Sequence, residues 1–291
     1  MKTKLRFAVP NGSLSERLQM YCATAGYPLQ APDRTGFCGE AGGVLFYQLD
    51  RRMIPHFLKS GDFDAGITGF DLWLNSGVRG LREIASLTFS RKTDQPTRWV
   101  LVKRTDWKSS NGGIVRIACE LPRLARRLLR DVELPQKWKL IEIEGSEELC
   151  AKHHVSDLVL TVTETGKSLV ANGLEILPGC DRLLVSTPRI LARNKLSTER
   201  ERRLQELTLA LQSVVGAHEY VMVMCDMPDG VDVSSLDLHP SVAPTVSPLT
   251  KAGWHALTVC IPRTEFGCVA FRLKAVGAKG IVMCDVQAHI E

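Results

Sequence analysis

The sequence predicts an α/β protein with largely parallel sheets, followed by a small α+β module of ferredoxin-like type. Three observations carry this. Short apolar or β-branched runs alternate with amphipathic stretches through the first two thirds of the chain, the pattern of strands joined by helical crossovers. Near Thr198 the texture changes: a long charged helix is followed by strand, loop or short helix, strand, helix and strand. The 291 residues, 44% apolar and 24% charged, suffice for about two cored domains and a third small one.

The elements follow in order. Leu5–Val9 (LRFAV) reads as a buried strand that ends in the turn Pro10-Asn11-Gly12. A helix comes next, with Ser13 as candidate N-cap and Glu16 at capping-box spacing. Val44–Leu49 is a strand, Ile54–Ser60 a short helix, and Phe63–Gly69 a strand running into a glycine turn. Arg98–Arg104 and Gly113–Glu120 are strands. Leu121–Val132 is a helix whose Leu121, Leu124, Leu128 and Val132 recur near the helical period. KLIEIEG and DLVLTV are strands on either side of a helix near Glu147–Lys152. The charged helix that follows has Ser197 or Thr198 as cap and acids in its first turn. Beyond it come the strand Tyr220–Pro228, a Pro/Ser-rich passage to Leu249, the strand Trp254–Pro262, the helix Arg263–Val276 and the strand IVMCDV.

Bulk chemistry narrows the function. A net charge of +5 suits anionic small molecules and equally a solvated surface. With no RNA-recognition signature, no Cys/His finger spacing and no Lys/Arg block, nucleic acid is not an expected partner. The nine cysteines form no C-x-x-C pair and none lies at zinc-ligand spacing, so reduced thiols in a cytoplasmic protein are expected. The four-residue apolar run at the start is too short for a signal peptide. No stretch approaches the ~18 residues of a membrane span.

The segment VLTVTETGKSLVANGL, Val159–Leu174, contains Gly166-Lys167-Ser168. A Walker A loop needs a glycine five residues before Gly166, where its backbone turns N–H groups toward phosphates, and Thr161 stands there. An ATPase loop is therefore excluded on spacing. What remains is a buried strand, a turn over Thr163–Lys167, and a helix beginning near Ser168 with Thr165 or Thr163 as cap. Such a turn is either an ordinary capped strand–turn–helix or an anion site, with Gly166 admitting a phosphate, Lys167 adding charge, and Thr165 and Ser168 offering hydroxyls.

TETGKSLVANGL resembles the phosphoribosyl-pyrophosphate loop of the ATP phosphoribosyltransferase family. The resemblance extends in order along the chain, through VPNGSLSE, GDFDAGITGFDLW, FSRKTDQPTRWVLV, GSEE, APTVSPLTKAGWHAL and RLKAVGAKGIVM. It implies a two-lobed, periplasmic-binding-protein-like (type II) catalytic core with a C-terminal ferredoxin-like regulatory domain. Residues 1–95 and 183–215 would form the first lobe, 96–182 the second with the loop, and 216–291 a histidine-binding domain. The implied reaction joins C1 of phosphoribosyl pyrophosphate to N1 of ATP with Mg²⁺, releases pyrophosphate, opens histidine biosynthesis and is inhibited by histidine; the long form is a homohexamer. Carried over by motif, Thr165, Gly166, Lys167 and Ser168 would hold the ribose 5-phosphate, beside Thr161 and Glu164. Asn11, Gly12, Ser13, Thr68 and Gly69 would line the facing wall and touch nucleotide or pyrophosphate. Arg98 and Glu148 are candidates for positioning the transition state, and Thr245 for contacting histidine.

Two departures stand out. The family's usual aspartate on the loop strand is Thr161 here, which hydrogen-bonds but brings no negative charge. Asp157 lies about 13 Å back at strand rise and cannot replace it, whereas Glu164 is closer. In the C-terminal region, Asp229–Pro240 is poorer in helix formers than its family counterpart. No nucleophile–histidine pair is evident; His153-His154 reads as surface, and Arg123, Arg126, Arg127 and Arg130 as a solvated face. Two classes remain open: the enzyme, or a non-catalytic two-lobed binding paralogue, which Thr161 favours.

Overall fold

Three strand sets, each with its own helices, account for the architecture. The computed structural model describes residues 4–12, 14–90, 93–108, 113–134, 137–145, 147–238 and 243–290. The chain divides into two compact units, residues 1–20 with 27–208, and residues 21–26 with 209–291.

The first sheet begins with β1 (Leu5–Pro10), followed by α1 (Ser15–Thr24), β2 (Phe37–Ala41) and β3 (Val44–Leu49). Next come α2 (Ile54–Ser60), β4 (Ala65–Gly69), α3 (Phe70–Ser76) and β5 (Leu81–Ser86). Pro55 in the first turn of α2, where no helical N–H is needed, starts that helix, and left-handed Gly61 stops it. The second sheet holds β6 (Thr97–Arg104), β7 (Val115–Cys119), β8 (Trp138–Glu142), β9 (Leu158–Thr163), β10 (Leu174–Ile176) and β11 (Leu184–Ser186). Its helices are α4 (Pro122–Leu128), α5 (Glu147–Lys152) and α6 (Lys167–Ala171). The chain then returns to the first sheet as β12 (Pro188–Arg193).

Strand order in the first sheet is β2-β3-β1-β4-β12-β5, and in the second β10-β6-β9-β7-β8 with β11 also on β6. Apart from the edge strand β2, each half repeats one plan, with the strand arriving from the other half inserted antiparallel beside its third strand. This is the two-lobed, periplasmic-binding-protein-like type II arrangement. The expectation of largely parallel sheets needs correction, because both sheets are mixed: β1 runs parallel to β3 and β4, while β12 is antiparallel to β4 and β5. In the second sheet β7 is parallel to β8 and β9, and β6 antiparallel to β9. A local apolar run carries no direction, so a crossover strand and its parallel neighbours look alike in sequence. The expected return at residue 183 also shifts, since Leu184–Ser186 still pairs with Thr97–Trp99 in the second sheet. The helix expected over Leu121–Val132 ends at Leu128 and tightens into a 3₁₀ turn, Leu129–Asp131. Ser13 lies outside the described residues.

The second sheet is packed on both faces. Leu101, Ile117, Leu158 and Leu160 meet Leu124 and Leu129, while Val100, Val102, Ala118 and Val159 meet Ala151 and Leu169. In the first sheet, fully buried Asp64 accepts from the Arg6 N–H (2.9 Å), from Arg193 (3.0 and 2.8 Å) and from Arg200 (3.0 Å). Arg200 belongs to α7 (Thr198–Gly216), whose Glu201 also takes both terminal nitrogens of Arg82, so the first turn of this helix is tied to the first sheet by charge.

The C-terminal module contains β13 (Tyr220–Pro228), β14 (Thr245–Pro248), β15 (Trp254–Pro262), α8 (Phe266–Ala275) and β16 (Lys279–Asp285). Its order β14-β15-β13-β16, with β13 antiparallel to both neighbours, is the ferredoxin-like sheet. Among the described residues between β13 and β14 the chain forms one 3₁₀ turn, Val233–Leu236, where Asp232 caps the Ser234 N–H. That segment's shortage of helix formers is expressed directly. No helix of the described residues is long and apolar enough to cross a membrane.

Candidate functional site

The anticipated site residues gather at the C-terminal ends of parallel strands, where an open α/β sheet leaves a crevice. Asn11 and Gly12 follow β1, Thr68 and Gly69 end β4, and Thr161 to Ser168 run from the end of β9 into α6. Apart from Ser13, which lies outside the described residues, Glu148 on α5 and the C-terminal candidate Thr245, the candidates thus belong to two strand-end sets.

The loop after β9 is built by Gly166. Its φ of +78° is left-handed, and a Cβ placed there meets nothing within 4 Å, so the backbone stands open on that side. The Thr163 hydroxyl accepts from the Gly166 N–H at 2.9 Å, so of the two threonines offered as caps it is Thr163 that closes the turn. Thr165, Lys167 and Ser168 are exposed, and Leu169, 2% exposed, plugs the short helix into the sheet. Thr161 and Thr163 share a face of β9 with Val100 and Arg98, their direct cross-strand partners on β6. Arg98 is therefore set beside the turn. Thr161 is buried, 5% exposed, one strand repeat below it.

Two acidic candidates acquire definite partners. Glu164 accepts from the Thr93 hydroxyl at 3.1 Å, on the connection between the lobes. Glu148 accepts from Ser168 Oγ at 3.0 Å and from Asn172 Nδ2 at 2.8 Å. Asp157 is committed elsewhere: it binds the Arg116 backbone N–H and guanidinium at 2.8 to 3.1 Å, and that hydrogen bonding holds its carboxyl below the usual range. It takes no part at the loop, as strand geometry requires.

On the facing wall Arg51 organises the residues. Asn11 Oδ1 accepts from the Arg51 N–H at 3.3 Å, and the fully buried Thr68 donates to its carbonyl at 3.1 Å. Gly69 starts α3, and a Cβ there would fall 2.5 Å from Asp71 Oδ1. Asp71 in turn accepts from Trp99 Nε1 of β6 at 3.0 Å. Arg51 reaches Glu120, at the end of β7, at 3.4 Å; Arg52 pairs with the same carboxylate and with Glu144 at 3.1 Å. Next to Glu120, burial first and then the Glu120 charge raise the Glu147 carboxyl above its ordinary pKa.

Sequence reasoning missed Arg51, Arg52, Glu120 and Asp71. An Arg-Arg doublet directly after a strand, and a glutamate closing one, were the available signals. The other singled-out groups are peripheral: His153 and His154 are exposed, as are Arg126, Arg127 and Arg130, with Arg126 near Glu142 at 3.3 Å. Thr245 sits exposed on β14, opposite Thr258 of β15, within the other unit.

Among the described residues no group of three or more His, Cys, Asp or Glu is arranged to hold a metal ion. The loop strand's Thr161 adds a neutral oxygen rather than a carboxylate, so the described residues of the site do not form a protein-held Mg²⁺ site. All nine cysteines are unpaired.

The family model for ATP phosphoribosyltransferase matches residues 51–213, and the model for the HisG C-terminal domain matches residues 217–288. The ATP phosphoribosyltransferase of Corynebacterium jeikeium is 31% identical over 97% of this chain and 98% of its own length. That of Salinispora tropica is 31% identical over 98% and 99%. A solved ATP phosphoribosyl transferase (HisG:HisZ) complex from Thermotoga maritima aligns with a TM-score of 0.61 at 24% identity, covering 73% of this chain and 98% of that one, which shows a shared fold. With the strand order of both lobes and matches spanning nearly its whole length, the chain belongs to the ATP phosphoribosyltransferase family.

Proposed function

We propose that this chain transfers the phosphoribosyl group of phosphoribosyl pyrophosphate to N1 of ATP. The C1–O bond breaks with its electron pair leaving on pyrophosphate, and the N1 lone pair forms the new C–N bond. The observation that carries this reading is the open, exposed Gly166 turn at the end of β9 beside Arg98, facing the Asn11–Thr68 wall. The loop's backbone, Lys167 and the Thr165 hydroxyl hold the 5-phosphate, whereas the single Ser168 O–H is donated to Glu148. Arg98 lies where it offsets charge on the departing group, and Asn11, Gly12, Thr68 and Gly69 receive nucleotide. The ribose becomes oxocarbenium-like as pyrophosphate departs. Catalysis then rests on holding the two reactants in line and on preorganised positive charge, which needs no strong protein base. Mg²⁺ suits this chemistry as an ion carried on pyrophosphate oxygens, its usual manner of entering phosphate sites.

With the return placed after Ser186, residues 1–95 with 187–215 and residues 96–186 are read as two catalytic lobes, and 216–291 as a histidine-binding domain. Thr245 is the proposed effector contact, and histidine inhibits. The chain is read as a homohexamer; association as such is supported by the sheet face of the C-terminal module opposite α8, where Met222, Met224, Val282 and Cys284 lie side by side outside the core beneath their own helix. A second reading, a paralogue that binds without turnover, is favoured by Thr161 alone.

The test is pyrophosphate release from purified protein, with and without histidine. Release that needs both ATP and phosphoribosyl pyrophosphate supports the enzyme. Binding without release supports the paralogue, and then Thr161→Asp should restore turnover.

A further inference from the structure

Glu148 was expected near the reacting atoms, and its surroundings give it another task. Helix α6 has five residues, too few to hold its own turns in water. One apolar side chain, Leu169, anchors it, while Val170 stands 77% exposed. Glu148 meets it at both ends: one carboxylate oxygen accepts from Ser168 Oγ at 3.0 Å and the other from Asn172 Nδ2 at 2.8 Å. The Asn172 amide also donates to the Ser168 carbonyl at 3.0 Å, closing a ring across the helix. The helix carrying Glu148 is itself fixed, since Ala151 is fully buried in the cluster that takes Leu169.

A carboxylate in this position has no hydrogen to donate to a phosphate and repels it through space, so direct ligand contact is the wrong role. Two charge-assisted bonds from one rigid group are well suited to setting a short element's orientation. We propose that Glu148 is a positioning residue: it clasps α6 at Ser168 and Asn172, and so sets the Gly166 turn and Lys167 in the orientation that accepts the sugar phosphate. This rests on the phosphoribosyl reading above.

The test uses the full chain, with phosphoribosyl pyrophosphate binding followed by calorimetry, KM and kcat from pyrophosphate release, and thermal unfolding as the folding control. Glu148→Ala should weaken phosphoribosyl pyrophosphate by about tenfold, through both affinity and KM, with the KM for ATP and the unfolding midpoint little changed. Glu148→Gln, which keeps an acceptor and adds a donor, should recover to within about threefold. Asn172→Ala removes one arm and should cost several-fold, and combining it with Glu148→Ala should add clearly less than that single loss, because only the Asn172 bond to the Ser168 carbonyl is left to remove. Should Glu148→Ala not fold, Asn172→Ala with Glu148→Gln carries the same comparison. Unchanged affinity in Glu148→Ala, or losses that simply add in the double variant, overturns the proposal. Failure of the unsubstituted protein to bind phosphoribosyl pyrophosphate is a separate result and removes the underlying reading with it.

Discussion

Gly166→Ala isolates the backbone contribution of the loop. The residue sits at φ +78°, and the added methyl would meet no atom within 4 Å, so the substitution introduces no collision. Its cost is torsional, about 1–2 kcal/mol for an L-residue held in the left-handed region. If the turn instead relaxes to escape that strain, it gives up the 2.9 Å bond from the Gly166 N–H to Thr163, worth about 0.5–1.5 kcal/mol. The torsional cost corresponds to a loss of about 5- to 30-fold in phosphoribosyl pyrophosphate affinity, and the lost bond alone to about 2- to 13-fold. The unfolding midpoint should fall by only a few degrees, at about 2–4 °C per kcal/mol for a unit of this size. Asparagine enters the left-handed region more easily, so Gly166→Asn should bind better than Gly166→Ala. Calorimetric titration of the three proteins at one salt concentration measures this. Affinity of Gly166→Ala within twofold of the unsubstituted protein would refute the reasoning; so would a weaker Gly166→Asn, which would mean that volume rather than torsion decides.

Asp64→Ala should cost roughly 3 kcal/mol and several degrees in unfolding midpoint, because it strands three guanidiniums around a buried position; their side-chain exposures of 18–41% keep the figure at the lower end. Differential scanning calorimetry checks it, and an unchanged midpoint counts against the ion cluster as a fastener of α7. For Glu147 the raised pKa means that the folded protein holds this proton more tightly than the unfolded chain. Its contribution is therefore fully present below the ordinary 4.5 and is lost as pH rises through the raised value, above which stability no longer varies with this group. Glu147→Gln should raise the unfolding midpoint at neutral pH and change it little at acid pH, which midpoints measured across pH will show. Burial pushes the Cys22 and Cys119 thiols up to about 12, whereas Cys268 is exposed. Alkylation followed by mass spectrometry should label Cys268 first and reach Cys22 and Cys119 only on unfolding.

The loop was legible because its signals are local. A β-branched strand, a threonine three residues before a glycine, and a short apolar-anchored helix specify strand, turn and helix without help from distant chain. The same holds for Pro55 and Gly61 bounding α2. The ferredoxin-like module was legible from element order alone, but β14 was lost in a Pro/Ser-rich passage, because an exposed edge strand carries no apolar signature. Strand direction was hidden, since β6 and β12 are as apolar as the parallel strands they join. The partners of Glu148, Glu164 and Asp64 were hidden for a different reason: each is fixed by residues 20 to 136 positions away in the chain. Arg51 illustrates the limit best, its backbone held by Asn11 and Thr68 while its guanidinium reaches Glu120 of the other lobe.

The placement of β12 between β4 and β5 has a consequence for how this protein is born. When the ribosome has finished β5, the first sheet has an empty slot, and the strand that fills it emerges roughly a hundred residues later. At typical elongation rates that interval lasts on the order of 5–20 s. By its end every strand of the second sheet has been made, while β4 and β5 still expose unpaired edges. The later half is thus free to mature before the earlier one, and nascent chains stalled inside it present an open groove for chaperones or for misplaced strands from a neighbouring ribosome.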